Sequence, residues 1–256
     1  MKSQKKRIQA MISMIPSNSY IMVKDLSETF KVTEETIRRD LLKICEENPS
    51  IRKVHGGVYR TAGDDLAAPQ GLRSTLLTGE KTRFADFCAS LAESGNCIML
   101  DSSTTAMFVA RALNARKINL VVVTNSMQTA LVFQENEDVQ VVLAGGKLRK
   151  TNGSLIGSSA ISMLRRYCAD LCVVSPTSID RKFGLTDHNE EEATIRACML
   201  QCSKKRILVA DHTKFGWAST NVIAPIDGFD MVVTDKAIPA GWTALLDEKG
   251  IAVTYC

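Results

Sequence analysis

The stretch DLSETFKVTEETIRRDL, residues 25–41, decides the fold of the N-terminal part of the chain. Apolar residues four positions apart, Leu26 and Phe30, predict a short helix, and Ile37 belongs to a similar stripe in a second helix. Thr33 is a typical N-cap residue, and two glutamates follow it where the helix dipole favours carboxylates. The stretch therefore predicts two helices joined by a tight turn.

The flanking residues complete a small domain around these two helices. Residues 3–14 carry apolar side chains at helical spacing, and the apolar residues 20–23 predict a short strand. Residues 51–59 alternate and contain the pair Gly56-Gly57, which predicts a β-hairpin, or wing. The first 60 residues thus predict three helices and a wing.

The distribution of charge favours a nucleic-acid partner for this domain. Residues 1–60 contain 12 Lys/Arg and 7 Asp/Glu, whereas the rest of the chain contains 20 and 21. Such a local basic excess is typical of a nucleic-acid-binding module, although a basic segment can also serve only solubility.

The second helix of the pair carries the side chains expected to read DNA. A recognition helix enters the major groove with its N-terminal part against the base edges. Two consecutive arginines lie about 100° apart around the helix, so that one can face bases while the other contacts a phosphate. The alternative is a solvated face, since Glu34 and Glu35 each precede an arginine by four residues. The residues predicted to contact DNA on this helix are Thr33, Glu35, Thr36, Arg38 and Arg39.

The helix pair and the wing together carry a family resemblance. Residues 25–41 resemble the helix-turn-helix of the DeoR family of bacterial transcription regulators, with its Val-Ser/Thr-x-x-Thr-Ile/Val-Arg-Arg-Asp-Leu pattern. Arg52-Lys-Val-His-Gly-Gly57 is similar to the wing of that family. The resemblance implies a sequence-specific DNA-binding regulator, usually a repressor, in which we expect Lys53 and His55 to approach the DNA backbone.

The remaining residues predict a second, larger domain. Residues 61–78 have no strong periodicity and predict a linker, and from residue 79 apolar strand-sized runs alternate with helices, which favours a parallel sheet covered on both faces. The predicted strands span residues 97–100, 120–124, 139–143, 171–174, 206–210, 231–234 and 251–254. The predicted helices span residues 80–93, 104–113, 126–134, 154–166 and 189–203.

The predicted fold class is therefore α/β, with three parts. A winged helix-turn-helix occupies residues 1–60, a linker residues 61–78, and an open, mostly parallel α/β sensor domain residues 79–256. Residues 79–237 resemble the DeoR-family sensor domain, which is similar in fold to sugar-phosphate isomerases. The matching stretches are Leu100-Asp-Ser-Ser-Thr-Thr105, Val123-Thr-Asn125, Leu143-Ala-Gly-Gly146, Leu185-Thr-Asp187 with Glu192-Ala, Asp211-His-Thr-Lys-Phe-Gly216 and Val233-Thr-Asp235.

These stretches predict an effector site at the carboxyl ends of the strands, where open parallel sheets bind ligands. Residues 102–105 begin a helix, and their N–H groups and hydroxyls predict a phosphate cradle, or alternatively a helix cap. Asp187 and Glu192 are expected to accept hydrogen bonds from sugar hydroxyls and Lys214 to neutralise the phosphate; the alternative is ordinary surface charge. The residues expected to bind the effector are Asp101, Ser102, Ser103, Thr104, Thr105, Thr124, Asn125, Gly145, Gly146, Asp187, Glu192 and Lys214.

Two positions depart from the family pattern. Ser103 and Ser178 stand where the family usually has glycine; we expect the side chain of Ser103 to narrow the cradle or to supply another donor, and the backbone at Ser178 to approach a ligand less closely. The predicted effector is a phosphorylated sugar or a related metabolite.

Two other functions remain as alternatives. A sugar-phosphate isomerase would use Asp187 or Glu192 as general base and Lys214 to stabilise an enediolate. A thiol- or metal-responsive regulator would use Cys168 with Cys172, or Cys198 with Cys202. The prediction is a regulator rather than an enzyme, with no catalytic residue, metal or cofactor.

The partners follow from this prediction. They are a double-stranded DNA operator, the phosphorylated effector and further copies of the chain, because half-site symmetry demands at least a dimer, with a tetramer as the other possibility. The sequence has no run of about 20 apolar residues and no signal-peptide core, and its eight cysteines are scattered, so a cytoplasmic location is expected.

Overall fold

The computed structural model describes residues 2–15, 20–48, 50–54, 56–60, 70–236 and 238–256. It divides the chain into two units, Met1–Leu76 and Leu77–Cys256. The predicted linker includes a helix that the sequence did not predict, Gln70–Thr75, whereas residues 61–69 lie outside the described residues. In the described part of the chain, no helix is long and apolar enough to cross a membrane.

The first unit is a winged helix-turn-helix, as predicted. Its three strands form an antiparallel sheet in the order β1-β3-β2, in which β2 and β3 are the wing hairpin. Helices α2 and α3 pack together over a core of fully buried apolar side chains. The elements are α1 Lys2–Met14, β1 Tyr20–Met22, α2 Val23–Phe30, α3 Glu34–Glu47, β2 Ile51–Val54, β3 Gly57–Arg60 and α4 Gln70–Thr75.

The tight turn between α2 and α3 is fixed by local hydrogen bonds. Lys31 adopts the left-handed conformation, with φ 51°, and ends α2. The hydroxyl of Ser27 donates to the carbonyl of Val32 at 2.6 Å. Thr33 then caps α3, because its side chain accepts a hydrogen bond from the Thr36 N–H at 3.3 Å.

The second unit is the α/β domain. Its helices are α5 Thr78–Ser90, α6 Thr104–Asn114, α7 Met127–Leu131, α8 Ser158–Leu164, α9 Glu190–Gln201 and α10 Trp242–Glu248. Its strands are β4 Cys97–Leu100, β5 Leu120–Thr124, β6 Val139–Leu143, β7 Lys147–Arg149, β8 Ser154–Ile156, β9 Ala169–Val174, β10 Ser178–Asp180, β11 Gly184–Asp187, β12 Ser203–Val209, β13 Asn221–Ala224, β14 Met231–Thr234 and β15 Ala252–Tyr255.

Seven of these strands form the central sheet, in the order β15-β14-β12-β9-β4-β5-β6, and every neighbouring pair is parallel. Its two faces pack into separate cores: Met99 of β4 belongs to one, and its neighbours Ile98 and Leu100 to the other. This alternation follows from the two-residue period of a strand. The predicted parallel sheet covered on both faces is therefore confirmed.

Three parts of this unit differ from the prediction, and one of them is helix α10, Trp242–Glu248, which the sequence did not predict. The helix predicted over residues 154–166 is wrong at its start, because residues 154–156 form β8 and pair with β7. Gly157, with φ 93°, separates β8 from the shorter helix α8. A Cβ at Gly146, where φ is 122°, would lie 2.5 Å from the carbonyl oxygen of Ile156, so this hairpin requires glycine there. The sequence also did not predict the small antiparallel sheet β10-β11-β13.

Candidate DNA interface and effector site

Helix α3 has one buried face and one exposed face. Ile37, Leu41 and Ile44 are fully buried and hold the helix in the module. On the other side, Glu35 and Arg39 are exposed. The first turn of the helix and its arginines are therefore free of the core and accessible to a partner.

Of the two Glu–Arg pairs that could form salt bridges on α3, one is present. Arg38 contacts Glu34 at 2.5 Å, and both side chains are nearly half exposed. Among the described residues, Arg39 has no ion pair with Glu35. An exposed pair of this kind contributes little stability, so Arg38 can exchange Glu34 for another anion at low cost.

Sequence reasoning missed the role of Asp40 in the Arg-Arg-Asp motif. This side chain is 1% exposed and accepts hydrogen bonds from Arg7 Nε and Gln4 Nε2 of α1, each at 2.7 Å. The motif thus joins two outward-facing arginines to an aspartate that ties α3 to α1. The spacing could have shown this, because residue 40 falls on the same stripe as Ile37 and Ile44.

The wing, like α3, is hydrogen-bonded to α1 and to the residue that follows it. Arg60 of β3 donates from its guanidinium to the carbonyl oxygens of Ile12, at 2.9 Å, and Ile15, at 3.4 Å. The predicted wing residue Lys53 is exposed on β2, and His55 lies outside the described residues.

In the second unit, the predicted phosphate cradle lies where β4 passes into α6. Ser103 is the N-cap: its Oγ accepts from the N–H of Ala106 at 3.0 Å, and its own N–H donates to Asp101 Oδ1 at 3.0 Å. The N–H groups of Thr104 and Thr105 precede the first helical hydrogen bond and have no intrahelical partner. Both threonines are more than nine-tenths buried. Ser103 can therefore cap α6 while the N–H groups of Thr104 and Thr105 bind a phosphate.

A buried guanidinium, which the sequence analysis did not single out, organises the predicted effector residues. Arg196 of α9 is 4% exposed. Its Nε donates to Asp101 Oδ2 and its Nη1 to Asp187 Oδ2, each at 2.7 Å. Glu192 Oε2 lies 3.9 Å from Nη1 and accepts from Ser102 Oγ at 2.7 Å. We call these five side chains the Arg196 network.

The other oxygen of Glu192 is also fully engaged. Glu192 Oε1 accepts from Asn152 Nδ2 at 2.7 Å and Ser154 Oγ at 2.5 Å, and Arg149 Nη1 lies 3.6 Å away. Burial raises the pKa of Glu192, but the Arg196 charge and the hydrogen bonds from Ser154, Asn152 and Ser102 outweigh it and lower the pKa from 4.5 to about 2. Burial likewise opposes the charged form of Arg196, yet its carboxylate partners raise its pKa. The network is therefore charged at neutral pH.

The residues predicted after β5 and β6 take different positions. Thr124 Oγ1 accepts from the N–H of Ser126 at 3.1 Å. Asn125 donates to the carbonyl of Leu155 at 3.2 Å, but its fully buried Oδ1 has no partner in the described part of the chain. Gly145 and Gly146 are exposed, and the fold already requires glycine at the second. Lys214 follows β12 and is half-buried in the 3-10 turn His212–Lys214.

Ser178, where the family pattern has glycine, forms a buried side-chain hydrogen bond. Its hydroxyl lies 2.7 Å from that of Thr186, and both are fully buried. The pair joins β10 to β11, so Ser178 is part of the packing of the small sheet.

The alternative functions fit this geometry poorly. A general base near neutral pH needs a pKa close to 7, and that of Glu192 is about 2. Burial raises the pKa of Cys172 and, with the neighbouring Cys198, raises that of Cys202 to about 11, which disfavours reactive thiolates. Within the described ranges, no group of three or more His, Cys, Asp or Glu side chains is arranged to hold a metal ion.

The fold and the two sites define a DNA-binding regulator with a separate sensor domain. The DeoR-like helix-turn-helix domain matches residues 7–62, and the DeoR C terminal sensor domain matches residues 77–236. The chain belongs to the DeoR family of transcription regulators. It is a DNA-binding regulator and not an enzyme.

Curated relatives are similar over nearly their whole length. The chain is 32% identical to the HTH-type transcriptional repressor GlcR of Bacillus subtilis (strain 168) over 97% of this chain and 95% of the relative. It is 30% identical to the glycerol-3-phosphate regulon repressor of Escherichia coli (strain K12), over 99% of each. Among solved structures, ribose 5-phosphate isomerase A of Methanocaldococcus jannaschii matches with a TM-score of 0.40 and 15% identity over 53% of each chain.

Proposed function

We propose that this chain is a cytoplasmic repressor that binds its operator as a homo-oligomer, a dimer or tetramer, and releases it when a small phosphorylated sugar or polyol binds the sensor domain. The observation that carries the effector half is a buried helix N-terminus, that of α6, directly beside the charged Arg196 network. Family membership supports the DNA-binding half.

The charge of the network supports one orientation of the effector. The Arg196 network contains the carboxylates of Asp101, Asp187 and Glu192 and one guanidinium group, and Arg149, which lies beside Glu192, adds a second, so that network and Arg149 together carry a net charge of −1. A phosphate dianion is repelled there, whereas sugar hydroxyls can donate to the remaining lone pairs of the carboxylates.

We therefore propose that the phosphate lies at the N-terminus of α6. The N–H groups of Thr104 and Thr105 and the positive end of the helix dipole favour an anion there, and Lys214 is the expected counter-charge. The unpartnered Oδ1 of Asn125 would accept from an effector hydroxyl, since β5 pairs directly with β4 and brings Asn125 beside Asp101. In this proposal, Gly145 and Gly146 allow the backbone after β6 to approach the ligand, while Ser102, Ser103 and Thr124 support it through the hydrogen bonds described above.

On the DNA side, the proposal assigns base or phosphate contacts to the exposed face of α3 and to the wing. Thr33, Glu35 and Thr36 belong to the end of the helix that enters a major groove first. Arg38 and Arg39 extend this surface, and Lys53 and His55 of the wing contact the DNA backbone.

The experiment combines calorimetry with an operator-binding assay. The full chain is titrated with glycerol 3-phosphate, hexose phosphates and their unphosphorylated counterparts, and fluorescence anisotropy follows its release from the DNA upstream of its own gene. We expect a phosphorylated compound to bind and to weaken operator binding. Lys214→Gln should abolish this response and keep operator affinity, whereas Lys249→Gln, the matched control outside the site, should keep both. If no phosphorylated compound binds and none alters DNA affinity, the effector assignment is wrong.

A further inference from the structure

Strand β6 is one edge of the central sheet, and among the described residues it pairs only with β5. The carbonyl of Asp138 and the N–H of Ala144 bond to β5, so the even-numbered residues between them also face β5. Val139, Val141 and Leu143 therefore direct their backbone groups away from the sheet. Open apolar strand edges are sites of pairing with another chain.

Exposed apolar side chains collect along this edge. Met127 and Leu131 share one face of α7, which packs on β6, and are 40% and 60% exposed. Leu143 ends β6, and Leu148 lies on β7, in the hairpin that follows; they are 39% and 44% exposed. Met127, Leu131 and Leu143 thus lie on β6 or on the helix that packs on it, and water does not favour exposed apolar side chains of this size.

The two ends of β6 carry opposite charges. Glu135, Glu137 and Asp138 precede the strand and are exposed; Lys147 and Lys150 follow it and are exposed. In the described part of the chain these five have no ion pair. The five-residue strand between them is about 17 Å long, at about 3.3 Å per residue.

We propose that this edge binds a second copy of the same chain, with the two β6 strands antiparallel about a two-fold axis at Val141. This register pairs Val141 with Val141 of the partner subunit, and Val139 with the partner's Leu143. It places the acidic end of each strand beside the basic end of the other, and it covers the apolar side chains of α7 with their symmetry mates. An antiparallel arrangement is required, because a parallel one would bring like charges together.

The inference deepens the proposed function, because it identifies the surface through which the sensor domains assemble. A homo-oligomer that uses another surface would still bind a symmetric operator. The two proposals can therefore fail separately, and the experiment measures assembly and operator binding in the same samples.

The first variant is Val141→Pro. Its N–H points away from β5, so proline removes no hydrogen bond within the chain and blocks pairing with a second copy. The matched control is Val253→Pro, which lies on the opposite edge strand, β15, and whose N–H also points outward, since Ala252 and Cys256 bond to the β14 side. Analytical ultracentrifugation of the full-length proteins should show Val141→Pro with half the assembled mass and Val253→Pro unchanged.

Charge reversal gives a second test that does not depend on how proline is tolerated. E135K/E137K makes both ends basic and should raise the dissociation constant of the assembly by about tenfold or more at low salt. K147E/K150E should do the same. The combined fourfold variant restores opposite charges at the two ends and should recover an affinity close to that of the wild type.

The results separate the possibilities clearly. A wild-type chain that stays monomeric, or a folded Val141→Pro variant that assembles normally, overturns the inference. If Val141→Pro does not fold, the charge variants decide, and failure of the fourfold variant to recover assembly also overturns it. If assembly persists through another surface and operator binding is retained, only the β6 interface is wrong.

Discussion

Arg196 is the residue whose loss should damage the sensor domain most. Replacing it by methionine keeps most of the side-chain volume and removes the one guanidinium that contacts Asp101, Asp187 and Glu192. Three buried carboxylates would then face only Arg149, whose Nη1 lies 3.6 Å from Glu192 Oε1. A buried charge that loses its partner is far more costly than a charge at the surface.

The structure sets the size of the effect. The lowering of the Glu192 pKa from 4.5 to about 2 corresponds to about 3 kcal/mol at neutral pH, shared between Arg196 and three hydrogen bonds. The two contacts at 2.7 Å to Asp101 and Asp187 add to the stabilisation that Arg196 contributes. We therefore expect Arg196→Met to destabilise the domain by about 3–5 kcal/mol. Arg196→Lys keeps the charge but cannot reach both aspartates at once, and should cost about half as much.

Urea unfolding followed by tryptophan fluorescence measures this effect directly. The chain has two tryptophans, Trp217 and Trp242, and both lie in the second unit, so the signal reports that unit alone. The control is Arg206→Met, whose ion pair with Asp230 is about one-third exposed on both sides and should cost less than about 1 kcal/mol. An Arg196→Met protein with an unchanged urea midpoint would refute the assignment of Arg196 as the centre of the network.

Three further predictions concern DNA binding, the module and acid stability. Arg38→Ala or Arg39→Ala should weaken operator binding by about 1–3 kcal/mol in anisotropy titrations, with Lys249→Ala in the second unit as the control; unchanged binding for both would contradict the recognition-helix assignment. Asp40→Ala should cost the first unit about 2–3 kcal/mol, seen as faster hydrogen exchange in α1 and α3 but not in the second unit. Because the folded pKa of Glu192 is lowered, its stabilisation is complete above pH 4.5 and lost as the pH falls towards 2. Glu192→Gln should make the free energy of unfolding depend less on pH in that window. An unchanged pH dependence would exclude Glu192 as its source.

The sequence predicted the central elements because their signals are local. Strands β4, β5, β6 and β14 have the predicted bounds, since each is a short run made up mostly of apolar residues. The cap at Thr33 and the turn before it were also predicted, because capping depends on neighbouring residues.

The network and the small sheet could not be predicted in the same way. Arg196 meets Asp101 from 95 residues away, and nothing in the helix around it marks it as a buried cation. Strands β10 and β11, of three and four residues, are too short to show a period of two. At Asp40 the spacing carries the information, because residue 40 falls on the buried stripe of α3.

The division of α3 into two faces has a consequence for altering DNA specificity. The stripe that includes Ile37, Asp40 and Ile44 is buried and ties the helix to the rest of the module. Thr36 and Arg39 contribute none of these contacts, so the outer surface can be exchanged without redesigning the domain. A library randomised at the outward positions alone should yield folded variants with new operator preferences, whereas the Asp40 codon should be left fixed.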